Sequence, residues 1–252
     1  MLEFTRKKSN KIAAKGVTFT MALKFFGRGS GFTDNHTSAY FSTPDNELVI
    51  IDCPVTALQK LMKMNLDAYN SIYVLITHTH GDHIGGLGLF IQYAFFVSKK
   101  IITVVAPSDE VWEDLSKLFE IEGIDSASFI IISSDELKNK AWFKTSILTT
   151  HAPQLSGKCF GYRLTIDGEN IVYSGDTSTL MPYFPHLTKD STFFVDTSVH
   201  YGQVHLKLED NLKRFLFLNE KGIKIFLMHL DDVEAAKKMV AEYDDINVVE
   251  IE

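Results

Sequence analysis

Four side chains with metal-binding chemistry lie within six residues, in the stretch His-Thr-His-Gly-Asp-His at positions 78–83. Histidines at alternate positions can bind one metal ion from one side, and the Asp-His pair that follows can hold a second. An apolar run at 72–76 precedes the stretch and reads as a buried strand, while Gly85 and Gly86 permit a close turn before a helix. The stretch therefore predicts a metal site at the carboxyl end of a strand, where open sheets usually bind ligands.

Three further candidate ligands each come directly after an apolar run that reads as a strand. They are His151, Asp176 and His229. Because strand ends at one edge of a sheet converge, we expect them to meet His78, His80, Asp82 and His83. A set of imidazoles and carboxylates without a thiolate suits Zn²⁺, Mn²⁺, Fe or Ni²⁺.

The elements that must position these ligands alternate along the chain. Strand-rich stretches recur in both halves with helices between them, which favours two sheets packed face to face with helices outside. We predict one domain over residues 21–252, preceded by an extension at 1–20. Strands are predicted at 21–27, 39–41, 47–52, 72–76, 101–105, 129–132, 143–150, 159–166, 170–174, 193–196, 224–228 and 246–251, and helices at 55–64, 87–97, 109–119, 208–218 and 232–243.

The composition is that of an ordinary globular protein, with 45% apolar and 23% charged residues in a chain of 252. No apolar run approaches the roughly 20 residues of a membrane span, and no signal peptide is recognisable, so we expect a cytoplasmic protein. Cys53 and Cys159 do not form a disulfide framework, and we expect two buried, reduced thiols.

The net charge of −7 is unevenly distributed. Residues 1–20 contain five basic side chains and one acidic, a balance of +4, which leaves −11 for the remaining 232 residues. Binding to a nucleic-acid backbone depends on clustered Lys and Arg, so this acidic body is a poor surface for large nucleic acids.

The seven candidate ligands, in kind and in order, resemble those of the metallo-β-lactamase-fold hydrolases. The resemblance implies an α/β (α+β) fold, a four-layer αββα sandwich, and two divalent ions, with Zn²⁺ expected and Mn²⁺ possible. It implies that His78, His80 and His151 hold one ion, that Asp82, His83 and His229 hold the other, and that Asp176 bridges them. Asp82 is then also a catalytic candidate, and a bridging hydroxide is the expected nucleophile. True β-lactamases of this fold use a cysteine in the second site, and Cys159 does not fall at a ligand position, which argues against β-lactam hydrolysis.

Other residues look like those of the ribonuclease Z branch of this fold. Gly-Tyr-Arg-Leu at 161–164 precedes Tyr-Ser-Gly-Asp-Thr at 173–177, as in that branch. Asp196 lies in the segment that corresponds to the His-Glu-Ala-Thr box of that branch. His205 lies where that branch has a histidine that helps protonate the leaving oxygen. The resemblance therefore implies that His205 and Asp196 are catalytic, with His200 as a competitor for the role of the acid.

The arm with which ribonuclease Z grips tRNA is missing, because only 24 residues separate His151 from Asp176. What remains is similar to the small ribonuclease Z-like enzymes that open cyclic nucleotides, including the phage anti-Pycsar phosphodiesterases. The resemblance implies hydrolysis of 3′,5′-cyclic nucleotides to nucleoside 5′-monophosphates, in the host cytoplasm if the protein is phage-encoded. Four aromatic residues are candidates for stacking on the base: Phe32, Tyr183, Phe184 and Tyr201.

Two other activities stay open at this point. One is tRNA 3′-processing without the arm, and the other is a lactonase or thioesterase activity, since lactonases of this fold share the same seven ligands. The Gly-Tyr-Arg hairpin and His205 favour phosphodiester chemistry. Ribonuclease Z-like enzymes are commonly dimers, and the apolar helix predicted at 87–97 offers more hydrophobic surface than one helix needs, so we also expect a homodimer.

Overall fold

A computed structural model describes residues 22–243 and 245–252, and the extension predicted at 1–20 lies outside these residues. In the described part of the chain, the strands form two sheets of six strands each. The first sheet has the order β1-β2-β3-β4-β5-β6. Its strands are β1 (Lys24–Gly27), β2 (Ser38–Ser42), β3 (Glu47–Ile51), β4 (Ser71–Leu75), β5 (Ile102–Ala106) and β6 (Phe129–Ser133).

The second sheet has the order β12-β11-β10-β9-β8-β7. Its strands are β7 (Phe143–Thr149), β8 (Cys159–Ile166), β9 (Glu169–Tyr173), β10 (Thr192–Asp196), β11 (Lys224–Met228) and β12 (Ile246–Val248). In each sheet the first three strands along the chain pair antiparallel and the later pairs are parallel. The parallel halves direct the carboxyl ends of several strands to one edge, which is the arrangement that brings distant residues together.

The two sheets pack face to face through a shared apolar core. Phe25 of β1 lies against Phe194 of β10, with ring centroids 5.2 Å apart, and Tyr162 of β8 is buried in the same cluster. Both inner faces therefore exclude water, and their burial contributes to the hydrophobic stabilisation of the sandwich.

Helices cover the two outer faces. Side chains of α1 (Val55–Leu61), α3 (Leu87–Phe96) and α4 (Asp109–Ile121) share a core with the first sheet. Those of α5 (Leu208–Glu220) and α6 (Val233–Val240) share a core with the second. The predicted four-layer αββα sandwich is confirmed.

The differences from the predicted elements are local. A single helical turn, α2 (Gly81–Ile84), forms inside the metal-binding stretch, where the sequence indicated only a turn. The last helix, α6, begins one residue later and ends three residues earlier than predicted. At its start, the Asp232 carboxylate accepts the Ala235 N–H at 2.8 Å and caps the first turn. Cys53 and Cys159 are free and buried, as expected. Among the described residues, no helix is long and apolar enough to cross a membrane.

Candidate metal centre

All seven predicted ligands come together where strands of both sheets end. His78 and His80 follow β4, and Asp82 and His83 lie on α2 directly after them. His151 follows β7, Asp176 follows β9 and His229 follows β11. Seven polar side chains from four separate segments therefore share one location between the two sheets.

Backbone geometry at two of these strand ends is unusual. Gly175 has φ +58°, and a Cβ placed on it would lie 2.3 Å from the carbonyl oxygen of Phe160 and 3.2 Å from Cβ of Thr77. Only glycine fits here, and it lets Asp176 enter the space between the sheets. His229 is in the left-handed region with φ +57°, a conformation that non-glycine residues adopt mainly where the surroundings impose it.

Three imidazoles and one carboxylate form the first ligand group. Nε2 of His78 lies 3.0 Å from Nδ1 of His80, which lies 3.3 Å from Nε2 of His151. Oδ2 of Asp176 is 3.5 Å from Nε2 of His151. Each residue of the group offers one atom, and these atoms all lie within 4.8 Å of one another.

The second group places two imidazoles against two carboxylates. Oδ2 of Asp82 is 3.5 Å from Nε2 of His83 and 3.3 Å from Nε2 of His229. Asp176 completes this group as well, with Oδ1 at 3.3 Å from His83 Nε2 and Oδ2 at 3.4 Å from His229 Nε2. Asp176 is thus the one residue that belongs to both groups, as a bridging ligand must.

The donor set fits a pair of divalent cations. Nε2 of His83 is buried and has no hydrogen-bond partner among the described residues, although it faces two carboxylates. A buried polar atom without a partner is costly, and a cation between these groups would satisfy it. No thiolate belongs to either group, and nitrogen with carboxylate oxygen suits zinc or manganese better than softer ions.

Electrostatics at the centre favour positive charge. Burial by itself would lower the pKa of His83, but the carboxylates of Asp176 and Asp52 raise it well above its usual range. Burial likewise opposes charge on His229, and Asp176 and Asp196 outweigh it and raise the pKa of His229 to about 10. His78 differs, because burial and the neighbouring His83 hold its pKa well below normal and keep the ring neutral. A cation must displace protons from the first two rings, so metal affinity should increase with pH.

Hydrogen bonds behind the ligands fix the rings. Nδ1 of His151 donates to the carbonyl oxygen of Val204 at 2.8 Å, which leaves Nε2 to face the centre. Nδ1 of His83 donates to Oδ2 of Asp52 at 2.8 Å, with the same result. Such partners hold an imidazole in the tautomer and orientation that a metal ion requires.

Asp52 is the residue whose role the sequence did not reveal. It is fully buried at the end of β3, and its carboxylate also accepts the backbone N–H of Thr77 at 2.8 Å and the Thr77 hydroxyl at 2.7 Å. The sequence did contain one indication of this role, a charged residue at the end of an otherwise apolar strand. A carboxylate that is buried there requires hydrogen-bond donors. Its contact with His83 depends on the pairing of β3 with β4, which the sequence alone does not specify.

The two predicted catalytic residues outside the ligand set lie beside it. Nδ1 of His205 donates to Oδ2 of Asp196 at 2.8 Å, and the same oxygen accepts the Thr177 N–H at 2.8 Å. The His205 ring lies 4.9 Å, centroid to centroid, from the rings of His151 and His229. Burial would lower the pKa of His205, but Asp196 raises it above the ordinary value, so the ring can hold a proton near neutral pH.

The competing histidine lies elsewhere. The side chain of His200 is exposed and its Nε2 is 3.3 Å from Oδ2 of Asp232. It belongs to none of the three groups of converging ligand atoms, whereas His205 lies in one with Asp196 and His229. His205, and not His200, therefore lies beside the candidate metal ligands.

One of the four aromatic candidates is wrong. Tyr183 is fully buried and its hydroxyl donates to the Ser174 carbonyl at 2.6 Å, so it packs in the core and cannot meet a ligand. Phe32 is fully exposed, as is much of Tyr201 and part of Phe184. Phe32 follows Gly31, where an added Cβ would lie 2.9 Å from Oδ2 of Asp82, so this loop passes directly over the centre.

Comparison with known protein families identifies relatives over most of the chain. The family model "Anti-Pycsar protein Apyc1" matches residues 21–250. The Anti-Pycsar protein Apyc1 of Bacillus phage 010DV004 is 27% identical over 237 residues, covering 84% of this chain and 90% of the relative. That of Paenibacillus sp. (strain J14) is 26% identical over 250 residues, covering 92% and 98%. A ribonuclease Z from Prochlorococcus marinus (strain AS9601) is 26% identical over 160 residues, covering 58% and 49%.

Solved structures with this architecture confirm the fold. The metallo-β-lactamase-fold protein YhfI from Bacillus subtilis superposes with a TM-score of 0.71 at 19% identity, covering 90% of this chain and 96% of that one. Human tRNase Z, short form, gives 0.61 at 16% identity, covering 92% and 97%. Together with the family match, they confirm the predicted metal-dependent hydrolase. Because the family model spans nearly all of the described residues, the chain belongs to the Anti-Pycsar protein Apyc1 family.

Proposed function

We propose that this protein hydrolyses 3′,5′-cyclic nucleotides to nucleoside 5′-monophosphates at a centre of two divalent metal ions. The observation that carries the proposal is the hydrogen-bonded pair His205–Asp196, which lies against a cluster of seven ligands in a member of this family. A metal cluster alone would serve many hydrolases of this fold. A buried, protonatable imidazole beside it suits the departure of an alkoxide, which needs a proton.

The ligand groups suggest how the ions are divided. His78, His80 and His151 would hold the first, and Asp82, His83 and His229 the second, with Asp176 shared. We propose Zn²⁺ as the resident metal, with Mn²⁺ as the alternative, because the ligands combine imidazoles with carboxylates and contain no thiolate. When bound, two such ions generate a nucleophile from water at neutral pH and offset the negative charge that develops on the phosphate.

His205 would act as the general acid. Its Nδ1 hydrogen is engaged by Asp196, so Nε2 is the atom free to hold a proton and transfer it to the departing ribose 3′ oxygen. Asp196 is buried and also accepts the Thr177 N–H, so it holds the imidazole in one tautomer and orientation. A positioned acid of this kind typically contributes about 10²–10⁴-fold to the rate.

The surroundings of the centre suit a compact substrate. Between His151 and Asp176 the chain forms only a short helical turn and the hairpin β8–β9, with no arm for a large RNA. Phe32 on the loop over Asp82 and Tyr201 on the segment before His205 are exposed rings that could stack on a nucleobase. Stacking accepts any base, so we expect both purine and pyrimidine cyclic nucleotides to be used.

A second candidate is tRNA 3′-processing, favoured by the similarity to a ribonuclease Z over 58% of this chain. The missing arm and the acidic surface oppose it. A lactonase or thioesterase activity would use the same ligands, and a lactone also releases an alkoxide. The match to the Anti-Pycsar protein Apyc1 family favours a cyclic nucleotide over these substrates.

One hydrolysis panel distinguishes these activities. The metal-loaded protein is assayed against 3′,5′-cyclic mononucleotides, bis-p-nitrophenyl phosphate, a precursor tRNA and a homoserine lactone, each with Zn²⁺ and with Mn²⁺. We expect nucleoside 5′-monophosphates from the cyclic substrates, and none from a His80→Ala control. Intact cyclic nucleotides alongside cleaved precursor tRNA or opened lactone would refute the proposal.

We also propose a homodimer that forms through α3. Leu89, Phe96 and Val97 are exposed apolar side chains on or next to this helix, which follows directly after the metal-binding stretch. Light scattering at micromolar concentration should give twice the mass of the chain, and a monomer would contradict this assignment. We further propose that residues 1–20 are an extension outside the hydrolase domain, and that the protein acts in the cytoplasm, that of the host if a phage encodes it.

A further inference from the structure

The segment that carries His205 connects β10 to α5. Backbone hydrogen bonds join the two ends of this segment. The Ser198 N–H donates to the Leu206 carbonyl at 2.9 Å, and the Leu208 N–H donates to the Ser198 carbonyl at 2.8 Å. Residues 199–205 form the loop between these hydrogen-bonded ends, and we call this loop the acid loop. Because the acid loop forms neither helix nor strand, the position of His205 depends on what holds its two limbs.

Asp231 holds the first limb. Its carboxylate accepts three hydrogen bonds: from the Ser198 hydroxyl at 2.6 Å, from the Val199 N–H at 2.7 Å and from the His200 N–H at 2.9 Å. The Ser198 hydroxyl oxygen accepts the Tyr201 N–H at 2.7 Å in turn, which extends the anchorage by one residue. Hydrogen bonds to an ionised carboxylate are stronger than neutral ones, so this limb is firmly tied.

The second limb meets the metal centre. The carbonyl of Val204 accepts Nδ1 of His151 at 2.8 Å, and the next residue, His205, donates to Asp196 at 2.8 Å. A shift of the acid loop would therefore disturb a candidate ligand and the candidate acid together.

Asp231 is itself well fixed. The neighbouring Leu230 donates its N–H to the Arg28 carbonyl at 2.9 Å and accepts the Ser30 N–H at 3.0 Å, which ties this strand end to the loop over the metal centre. Asp231 belongs to none of the groups of converging ligand atoms. Its carboxylate is instead used by the acid loop.

We propose that Asp231 is a positioning residue that fixes the acid loop and thereby places His205 for proton transfer. This inference rests on the proposed function in one respect, namely that His205 is the acid. Misplacing a reacting group by about 1 Å can cost about 10²-fold in rate. A loosened acid loop should therefore reduce kcat far more than it changes KM.

The test compares Asp231→Asn with Asp45→Asn in the metal-loaded, full-length protein. The first variant leaves one acceptor oxygen where three donors converge. The second removes the same charge from an exposed turn that lies outside the acid loop. Three properties are measured for both variants: hydrogen exchange of residues 198–206, metal content, and kcat and KM on a cyclic nucleotide. The same measurements are repeated in a His205→Ala background.

We expect Asp231→Asn to accelerate exchange in the acid loop by about tenfold or more and to lower kcat by about 10–100-fold, with two ions still bound. Asp45→Asn should change neither quantity. In the His205→Ala background, Asp231→Asn should lower kcat hardly any further. Unchanged exchange in the acid loop, or an equal loss of kcat in both backgrounds, would overturn the inference. Hydrogen exchange can be measured without catalytic turnover, so it tests how Asp231 holds the acid loop independently of the substrate. A wild-type protein without activity on cyclic nucleotides would contradict only the proposed function.

Discussion

Replacing Asp52 by Asn should selectively weaken the second metal site. Asp52 Oδ2 accepts the Nδ1 hydrogen of His83, and this fixes the tautomer in which Nε2 has a lone pair facing Asp82 and Asp176. If the Asn amide keeps its oxygen on the Thr77 N–H, its NH₂ group points at His83. An NH₂ donor requires Nδ1 to accept, so the proton moves to Nε2, where it blocks a metal ion.

The magnitude follows from the bond that must be broken to restore the productive tautomer. A hydrogen bond to a charged group is worth about 1.5–3 kcal/mol, which corresponds to about 10–100-fold in an equilibrium constant. The dissociation constant of the second ion should increase by that factor, which agrees with the usual effect of removing such a partner of a ligand. The fold should persist, because Asp52 has φ +60° and Asn tolerates this conformation well.

Competition with a chelating dye measures the two dissociation constants, and elemental analysis gives the metal content. The control is Asp45→Asn, which removes the same charge from an exposed turn. Thr77→Val removes one donor to Asp52 and leaves the His83 contact, so it should cost less than Asp52→Asn. If Asp52→Asn retains both ions with wild-type affinity, the tautomer argument fails.

Four further predictions test other parts of the structure. Elemental analysis of protein never exposed to chelator should find two transition-metal ions per chain, and one or none would contradict the shared role of Asp176. His205→Ala should lose about 10²–10⁴-fold in kcat and keep both ions, whereas an unchanged rate would transfer the acid to His200 or to solvent. Phe32→Ala should increase KM for cyclic nucleotides with little change in kcat, and a Phe32→Tyr variant should behave like wild type, since either ring can stack. Burial would raise the pKa of Glu47, but hydrogen bonds from Lys140 and Trp142 hold this pKa below its ordinary value of 4.5. The ionised carboxylate therefore stabilises the folded state above pH 4.5, and this contribution is lost as the pH falls through the lowered pKa. Glu47→Gln should therefore cost about 1–2 kcal/mol of unfolding free energy at pH 7 in metal-free protein, and urea titrations should show the gap to wild type closing in acid.

The sequence by itself was sufficient to single out the seven candidate ligands that the structure brings together. Residues 78–83 concentrate imidazoles and a carboxylate with no packing function, and His151, Asp176 and His229 each end an apolar run. This information is local, because ligand chemistry depends on residue type and a strand is recognisable from its apolar run. The order of strands and helices is local in the same sense, and it predicted two sheets packed face to face with helices outside.

Only the tertiary structure decided the contacts between residues that are far apart in the sequence. The parallel pairing of Ile51 with Leu75 puts Asp52 beside Thr77 and His83, and nothing in residues 47–52 reveals that register. Tyr183 was a candidate for stacking on the base and is buried instead, because its ring packs on Phe193 with centroids 5.4 Å apart. Asp231 likewise gains its three donors only when the segment after β10 folds back over the end of β11. A residue's type reveals which partners it needs, but the packing of the two sheets determines which partners it finds.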